Sequence, residues 1–152
     1  MGAVSLTCSN FPRENSPVSL NPPETVIAVF ELVPYWVPEL QRQFHQTNVT
    51  IRGCCQARDL FPAVADAPSA VFVIDLASSL TEILVWLRTE VTRCHVRIPM
   101  IALGSAATAE LEWLLRDAGV TAFLPDPTTG AELARLCRRQ GKPLAETSPR
   151  LG

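Results

Sequence analysis

Thiols and imidazoles are the side chains of this sequence that could carry nucleophilic or metal-dependent chemistry. The five cysteines include the adjacent pair Cys54 and Cys55, but none shows the C-x-x-C spacing that zinc sites and redox motifs use. Nothing near that pair in sequence would lower a thiol pKa, so we interpret them as buried, unreactive thiols. His45 and His95 stand far apart, without a cysteine or serine in a recognisable catalytic setting. The sequence therefore predicts no catalytic residue, no metal site and no enzymatic activity.

A phosphate-binding loop is also missing from the place where open α/β folds carry one. Dinucleotide-binding proteins have glycines after the first strand, because the backbone must approach the pyrophosphate closely. Here the segment 34–40 reads PYWVPEL, which is bulky and contains prolines. We therefore predict that the protein binds no cofactor.

Five short apolar runs alternate along the chain with segments of helical period. The runs are continuously hydrophobic, which is typical of strands covered on both faces. A helix between successive strands supplies the crossover that a parallel pair needs. We therefore predict an α/β fold with a five-stranded parallel sheet and helices on both faces. The predicted strands are 26–30, 49–52, 70–75, 100–103 and 122–124, and the predicted helices are 36–47, 59–66, 81–94, 108–118 and 129–140.

The two ends of the chain differ from this pattern. Residues 1–24 hold four prolines among Ser and Asn, with too little periodic apolar character to order themselves. Residues 141–152 contain glycine and two prolines and lack an apolar stripe. The sequence thus predicts one domain over 25–140, a disordered N-terminal tail over 1–24 and a C-terminal tail over 141–152. A chain of 152 residues is long enough for one such core.

Charge and hydropathy indicate which partners and which cellular location to expect for the protein. The net charge of -2 and the pI of about 5.7 give no field that would draw the chain onto nucleic acid or an anionic membrane. No run approaches the ~20 apolar residues of a membrane span, and no signal peptide is recognisable. We expect a cytoplasmic protein without nucleic-acid or membrane partners.

The order of elements resembles a known family. The run from Ile98 to Pro127, IPMIALGSAATAELEWLLRDAGVTAFLPDP, resembles the second half of two-component receiver domains, with a strand, a helix closed by Gly119 and a last strand that bears an aromatic residue. The segment AVFVIDLA, whose strand ends at Asp75, resembles the strand with the phosphoacceptor aspartate of that family. The resemblance covers roughly 25–140. It implies a CheY-like, flavodoxin-like sheet of order 2-1-3-4-5, with the site at the carboxyl ends of the strands.

The resemblance also implies where phosphotransfer chemistry should lie. In the family, two acidic residues after the first strand hold Mg²⁺ and an aspartate after the third accepts the phosphoryl group. A Ser/Thr after the fourth strand and a lysine after the fifth contact that group, since catalysis here rests on positioning and charge. The corresponding positions hold Phe30 and Glu31, Asp75, Gly104 or the adjacent Ser105, and Asp126. A carboxylate in place of the lysine reverses the sign of the Coulomb interaction, so the sequence resembles a degenerate pseudo-receiver.

The carboxyl edge around Asp75 allows three interpretations. In the first, Asp75 has only a structural role. It is a strand-ending residue that caps the following loop, as Asp often does. Alternatively, it is an unorthodox phosphoacceptor that works with Glu31. A third hypothesis places a small-molecule site at the carboxyl ends of the strands, where flavodoxin-like folds often bind ligands.

A receiver-like domain without phosphotransfer chemistry would still have the surfaces through which receiver domains bind partners. The resemblance implies that the face formed by the fourth helix, fifth strand and fifth helix mediates dimerisation or partner binding. Phe123 occupies the switch-aromatic position on that strand, and core packing is its other interpretation. Trp113 lies about 150° from the apolar stripe of the fourth helix, so it should point outward. There it would anchor an interface or cover a neighbouring loop.

Opposite charges accompany Trp113 on these two helices. They could pair within one subunit or across a two-fold axis, or they could form an ordinary solvated face. The fourth helix carries Glu110, Glu112 and Asp117, and the fifth carries Arg135, Arg138 and Arg139. We therefore predict a phosphorylation-independent signalling or adaptor domain that acts by protein–protein interaction, with a second copy of the chain as a candidate partner.

Overall fold

A five-stranded parallel sheet organises the protein. The structure is a computed structural model that describes residues 25–125 and 128–141. The predicted N-terminal tail, the C-terminal tail beyond Gly141, and Asp126 lie outside the described residues. The strands are β1 Thr25–Phe30, β2 Val49–Cys54, β3 Ala70–Asp75, β4 Met100–Leu103 and β5 Ala122–Leu124. Neighbouring strands pair in parallel in the order β2-β1-β3-β4-β5, which confirms the predicted fold and topology.

Helices connect successive strands and cover both faces of the sheet. The helices are α1 Trp36–Gln43, α2 Leu60–Ala63, α3 Leu80–Trp86, α4 Glu112–Asp117 and α5 Gly130–Gln140. Shorter turns of other types adjoin three of them: a 3₁₀ turn Ala57–Asp59 before α2, a π-helix Leu87–Val91 after α3 and a 3₁₀ helix Ala106–Leu111 before α4. Within the described residues, no helix is long and apolar enough to cross a membrane.

The helices are shorter and less regular than the sequence predicts. The first ends at Gln43 instead of 47, and Gln46 adopts φ 62°, a left-handed conformation that a continuing helix cannot contain. The predicted helix 81–94 turns into the π-helix, where Thr89 Oγ1 donates to the Val85 carbonyl at 2.8 Å. Such side-chain bonds to the preceding turn compete with the regular helical ladder.

The core consists of two layers, one on each face of the sheet. In β1, Val26, Ala28 and Phe30 face α2, α3 and α4, while Ile27 and Val29 face α1 and α5. This alternation explains why the strands read as continuous apolar runs, since both faces are covered. Each fully buried aliphatic or aromatic side chain contributes roughly 1.5–3 kcal/mol.

Three aromatic rings fill the layer beneath α2 and α3. The Phe61 centroid lies 5.2 Å from that of Phe72 and 5.5 Å from that of Trp86, and the last two are 5.7 Å apart. Trp86 is 3% exposed, and a ring of this size buries a large apolar area in the core.

Both ends of the described domain lie at the amino edge of the sheet. A Cβ built on Gly141, which follows α5, would lie 3.6 Å from Thr25 Cγ2 at the start of β1. At the same edge, Gly119 follows α4 with φ 121°, which confirms the predicted glycine cap. The opposite, carboxyl edge carries the predicted site.

Candidate functional site at the carboxyl edge of the sheet

Strand register brings the predicted site positions together. Phe30 pairs with Ile74, and Asp75 pairs with Leu103. Glu31, Asp75 and Gly104 therefore follow or end three neighbouring strands at one edge. Asp126, at the predicted lysine position, lies outside the described residues, so its placement relative to Asp75 stays a prediction.

Glu31 caps the first helix. Its side chain is buried, with a residue exposure of 2%. Oε1 accepts hydrogen bonds from the amides of Tyr35 at 3.1 Å and Trp36 at 2.9 Å, and Oε2 accepts one from Val37 at 2.9 Å. Tyr35, at the N-cap position, supplies no side-chain bond of its own. A carboxylate from outside the helix thus satisfies amides that would otherwise lack partners, and it also opposes the positive end of the helix dipole.

This capping role competes with metal binding at Glu31. A Mg²⁺ ion that displaced one of these amides from the carboxylate would leave a buried N–H group without an acceptor, at a cost of about 1–3 kcal/mol. The sequence analysis assigned Glu31 only as a remaining acidic ligand. A signal was available, because α1 begins without a Ser, Thr, Asp or Asn at its N-cap.

Asp75 organises the turn that follows β3. Its Oδ1 accepts a hydrogen bond from the Ala77 amide at 3.2 Å, and its Oδ2 accepts one from the Ser78 hydroxyl at 3.1 Å. The Ser78 hydroxyl oxygen in turn accepts a hydrogen bond from the Leu32 amide at 3.0 Å. These contacts support the interpretation of Asp75 as a strand-ending cap. They also join the loop after β3 to the loop after β1, a role of Ser78 that the sequence analysis missed.

Phe123 fills the space beside Gly104. A Cβ built on Gly104 would lie 2.7 Å from Phe123 Cζ and 2.9 Å from Cε1, and closer still to the Thr108 hydroxyl. These separations are too short for real atoms, so a serine or threonine at this position would displace the ring. Phe123 is 6% exposed and belongs to the core layer of α2, α3 and α4. The structure therefore places it in the core, as the packing interpretation predicts.

Ser105, the alternative hydroxyl, caps the helical turn that follows β4. Its Oγ accepts a hydrogen bond from the Ala107 amide at 3.2 Å. Its own amide donates to Thr108 Oγ1 at 2.8 Å. Ser105 and Thr108 thus form a reciprocal cap. The hydroxyl already has a structural role, and it lies on the exposed side of the loop.

Glu31 and Asp75 have no salt-bridge partner within residues 25–125 and 128–141. In the same residues, no three His, Cys, Asp or Glu side chains are grouped so that they could hold a metal ion.

Cys54 is buried, as predicted, but Cys55 is half-buried and disulfide-bonded, so the interpretation of this pair as two buried thiols is wrong for Cys55. Cys54 and Cys137 are the buried free thiols among the described residues. Burial raises the pKa of Cys54 to about 12, an effect to which the charge of Asp59 adds. Burial likewise raises the pKa of Cys137 to about 12. Both thiols therefore stay protonated near neutral pH, and the protonated form is unreactive.

The described residues also form a shallow groove of about 440 Å³ away from the predicted site. Its lining comes from the turn before α2 and from the α3 segment, and none of the predicted site residues takes part. The lining residues are Gln56, Ala57, Arg58, Glu82, Val85, Trp86, Thr89 and Glu90.

The fourth-helix and fifth-helix surface contains the predicted exposed tryptophan. Trp113 is 71% exposed, as the helical period predicts. Arg138, by contrast, turns toward α1: its guanidinium carbon lies 4.8 Å from the centre of the Phe44 ring, and Nη2 donates to the Gln43 carbonyl at 3.5 Å. Arg138 thus lies on the flank of α5 away from β5.

The other charges of this surface behave differently. Glu112 accepts a hydrogen bond from Arg116 Nε at 2.7 Å within α4. The remaining predicted charges are exposed and form no ion pair among the described residues; they are Glu110, Asp117, Arg135 and Arg139.

Comparison with models of protein families and with curated proteins gives no match. Solved structures do match. The chemotaxis response regulator CheY4 of Vibrio cholerae is 14% identical, with a TM-score of 0.57 over 76% of this chain and 96% of that one. The ShkA Rec1 domain, solved in complex with c-di-GMP, is 19% identical, with a TM-score of 0.53 over 80% of this chain and 97% of that one.

A third match was solved with a bound metal ion. The receiver domain of the sensor histidine kinase PA1611 from Pseudomonas aeruginosa, solved with Mg²⁺ in its active-site cleft, is 17% identical, with a TM-score of 0.53 over 77% of this chain and 96% of that one. Sheet order, crossovers and these similarities agree, and the chain has the receiver-domain fold of two-component response regulators.

Proposed function

We propose that this protein is a receiver-fold signalling domain that works without phosphorylation and acts by contacting other proteins. The observation that carries the proposal is the packing of Phe123 against Gly104. In the family that the sequence resembles, this position holds a hydroxyl residue that contacts the phosphoryl group. Here the ring occupies the same space, so the core itself excludes such a side chain.

Electrostatics support the same conclusion. A lysine near a phosphorylated aspartate would contribute about 4 kcal/mol for unit charges ~4 Å apart at an effective dielectric constant of ~20. The sequence supplies Asp126 instead. The remaining acidic residue, Glu31, is engaged by the amides of α1.

The proposed interaction surface consists of α4, β5 and α5, with Trp113 at its centre. An exposed indole ring buries a large apolar area when a partner covers it. Acidic Glu110, in the 3₁₀ helix before α4, and Asp117 on α4 could meet basic Arg135 and Arg139 of α5 across a two-fold axis, where each helix contacts the other's counterpart. A homodimer is therefore the partner arrangement that we propose.

Titration with Mg²⁺ and beryllofluoride tests whether phosphorylation is involved. The wild type and Asp75→Asn would be followed by tryptophan fluorescence and by mass from size-exclusion chromatography with light scattering. We expect no saturable response from either protein. Saturable binding that Asp75→Asn abolishes would instead identify Asp75 as a phosphoacceptor.

A pair of exposed-site variants tests the surface. Trp113→Ala should dissociate the dimer, as measured by sedimentation equilibrium. Val85→Ala is the matched control, because Val85 is 55% exposed on α3 and lies outside the proposed surface. A wild type that sediments as a monomer at high concentration, or a dimer that Trp113→Ala leaves intact, would contradict the homodimer.

A further inference from the structure

Exposed apolar side chains are concentrated in the loop between β1 and α1. Leu32 is 49% exposed, Val33 76% and Tyr35 61%. These three make up half of the six large hydrophobic residues that are exposed in the described parts of the chain. We call residues 32–35 the β1–α1 platform. Single exposed apolar residues are common, but several contiguous ones usually mark a contact surface.

Polar contacts hold the platform at both ends. At its start, the Leu32 amide donates to the Ser78 hydroxyl, which donates to Asp75. At its end, the Tyr35 amide donates to Glu31 Oε1. A loop fixed in this way loses little conformational entropy when a partner covers it, so its exposed apolar area contributes to affinity more fully.

Both acidic residues of the degenerate site therefore have a second use. Glu31 and Asp75 position the platform, Glu31 directly and Asp75 through Ser78. This use does not depend on the α4–β5–α5 surface, which lies on a different part of the domain.

The charge of Asp75 restricts what can cover the platform. Each carboxylate oxygen of Asp75 accepts one protein hydrogen bond, which leaves further acceptor capacity. Asp75 has no cationic partner among the described residues. A purely apolar partner would bury that charge uncompensated, at a cost of several kcal/mol, and an acidic partner would repel it. A lysine or arginine would pair with it.

We propose that the β1–α1 platform is a docking surface for a protein segment that combines apolar side chains with a lysine or arginine. The apolar side chains cover Leu32, Val33 and Tyr35, and the cation pairs with Asp75. An amphipathic basic helix presents this combination on one face.

A designed peptide pair tests the proposal. The probe is a short amphipathic helix of leucine and lysine, and its counterpart carries glutamate at every lysine position. Binding to the Trp113→Ala protein would be measured by isothermal titration calorimetry, so that self-association through the other surface cannot contribute. We expect the lysine peptide to bind and the glutamate peptide to bind at least about tenfold more weakly.

Variants then locate the binding. Val33→Ser and Asp75→Asn should each weaken binding of the lysine peptide by about tenfold. Val85→Ser, at a valine on α3 that is 55% exposed, should leave the affinity unchanged. Equal losses at Val33 and Val85 would overturn the proposal, as would equal affinity for the two peptides. Val33-dependent binding of the protein to phosphatidylcholine vesicles would overturn it as well, because the surface would then be a lipid contact.

Discussion

The two halves of the carboxyl edge of the sheet are held together by different physics. On the side of β1 and β3, Glu31 and Asp75 keep their carboxylates and direct them into hydrogen bonds with nearby loops. On the side of β4 and β5, Gly104 has no side chain and the Phe123 ring occupies the space. The first half thus depends on hydrogen bonds to the carboxylates of Glu31 and Asp75, whereas the second depends on the packing of the Phe123 ring beside Gly104.

This difference predicts how each half responds to substitution. The stability of a packed site depends on side-chain volume. Substitutions there lower the free energy of unfolding strongly, because both cavities and overlaps destabilise the fold. The stability of a hydrogen-bonded site depends on whether each donor keeps an acceptor. A conservative substitution that keeps an acceptor should therefore destabilise less than alanine does. Four substitutions test the contrast, and urea unfolding measures each.

Phe123→Ala should have the largest effect. Removing a buried ring destabilises by about 3–5 kcal/mol, and Gly104 offers no side chain that could move into the cavity. Phe123→Leu, which keeps most of the volume, should lose less than half of that amount. A loss below ~1 kcal/mol for Phe123→Ala would mean that the ring does not support this half of the edge.

Glu31→Ala should come next, with a loss of about 2–3 kcal/mol, because three amides of α1 lose their acceptor. Glu31→Gln keeps one acceptor oxygen and should recover part of this loss. If the alanine and glutamine variants were equally stable, capping would not be the function of Glu31.

Gly104→Ser restores the hydroxyl of the family pattern and should destabilise by about 1–3 kcal/mol, because its Cβ overlaps the ring. In the Phe123→Leu background the same substitution should be milder, and the coupling energy of the double-mutant cycle measures the overlap. Additive losses would place the clash elsewhere, for example at Thr108.

Ser78→Ala should have the smallest effect, about 1 kcal/mol, since it removes one exposed bridge between two loops. Hydrogen exchange should nevertheless show faster exchange of the Leu32 amide. Unchanged exchange at Leu32 would contradict the idea that Ser78 holds the start of the platform.

The sheet was predictable because its signal is local. Each strand is a continuous apolar run, and a helical segment follows it, so order and direction follow from general rules of chain connection. Helix lengths were less predictable: Thr89 bonding to Val85 and the left-handed Gln46 are effects of one or two side chains. Such effects do not alter the apolar period from which the helices were read.

Some roles of the site residues follow from local sequence, and others depend on contacts between distant parts of the chain. The turn role of Asp75 follows from its residue type at a strand end, and the sequence analysis included it. The capping role of Glu31 was within reach of the sequence, because the predicted helix starts at residue 36, where α1 begins, and its N-cap residue cannot cap it. The packing of Phe123 beside Gly104 involves residues that are separate in sequence, and only the folded core brings the ring to within 3 Å of the place where a Cβ at Gly104 would lie.

The proximity of Thr25 and Gly141 has a consequence for chain connectivity. Because the first strand begins where the last helix ends, a short linker could join these two positions without crossing either face of the sheet. A circularly permuted chain, opened in the exposed segment 95–97, should therefore fold to the same sheet order. The platform and the tryptophan surface would then be displayed from a new pair of chain ends.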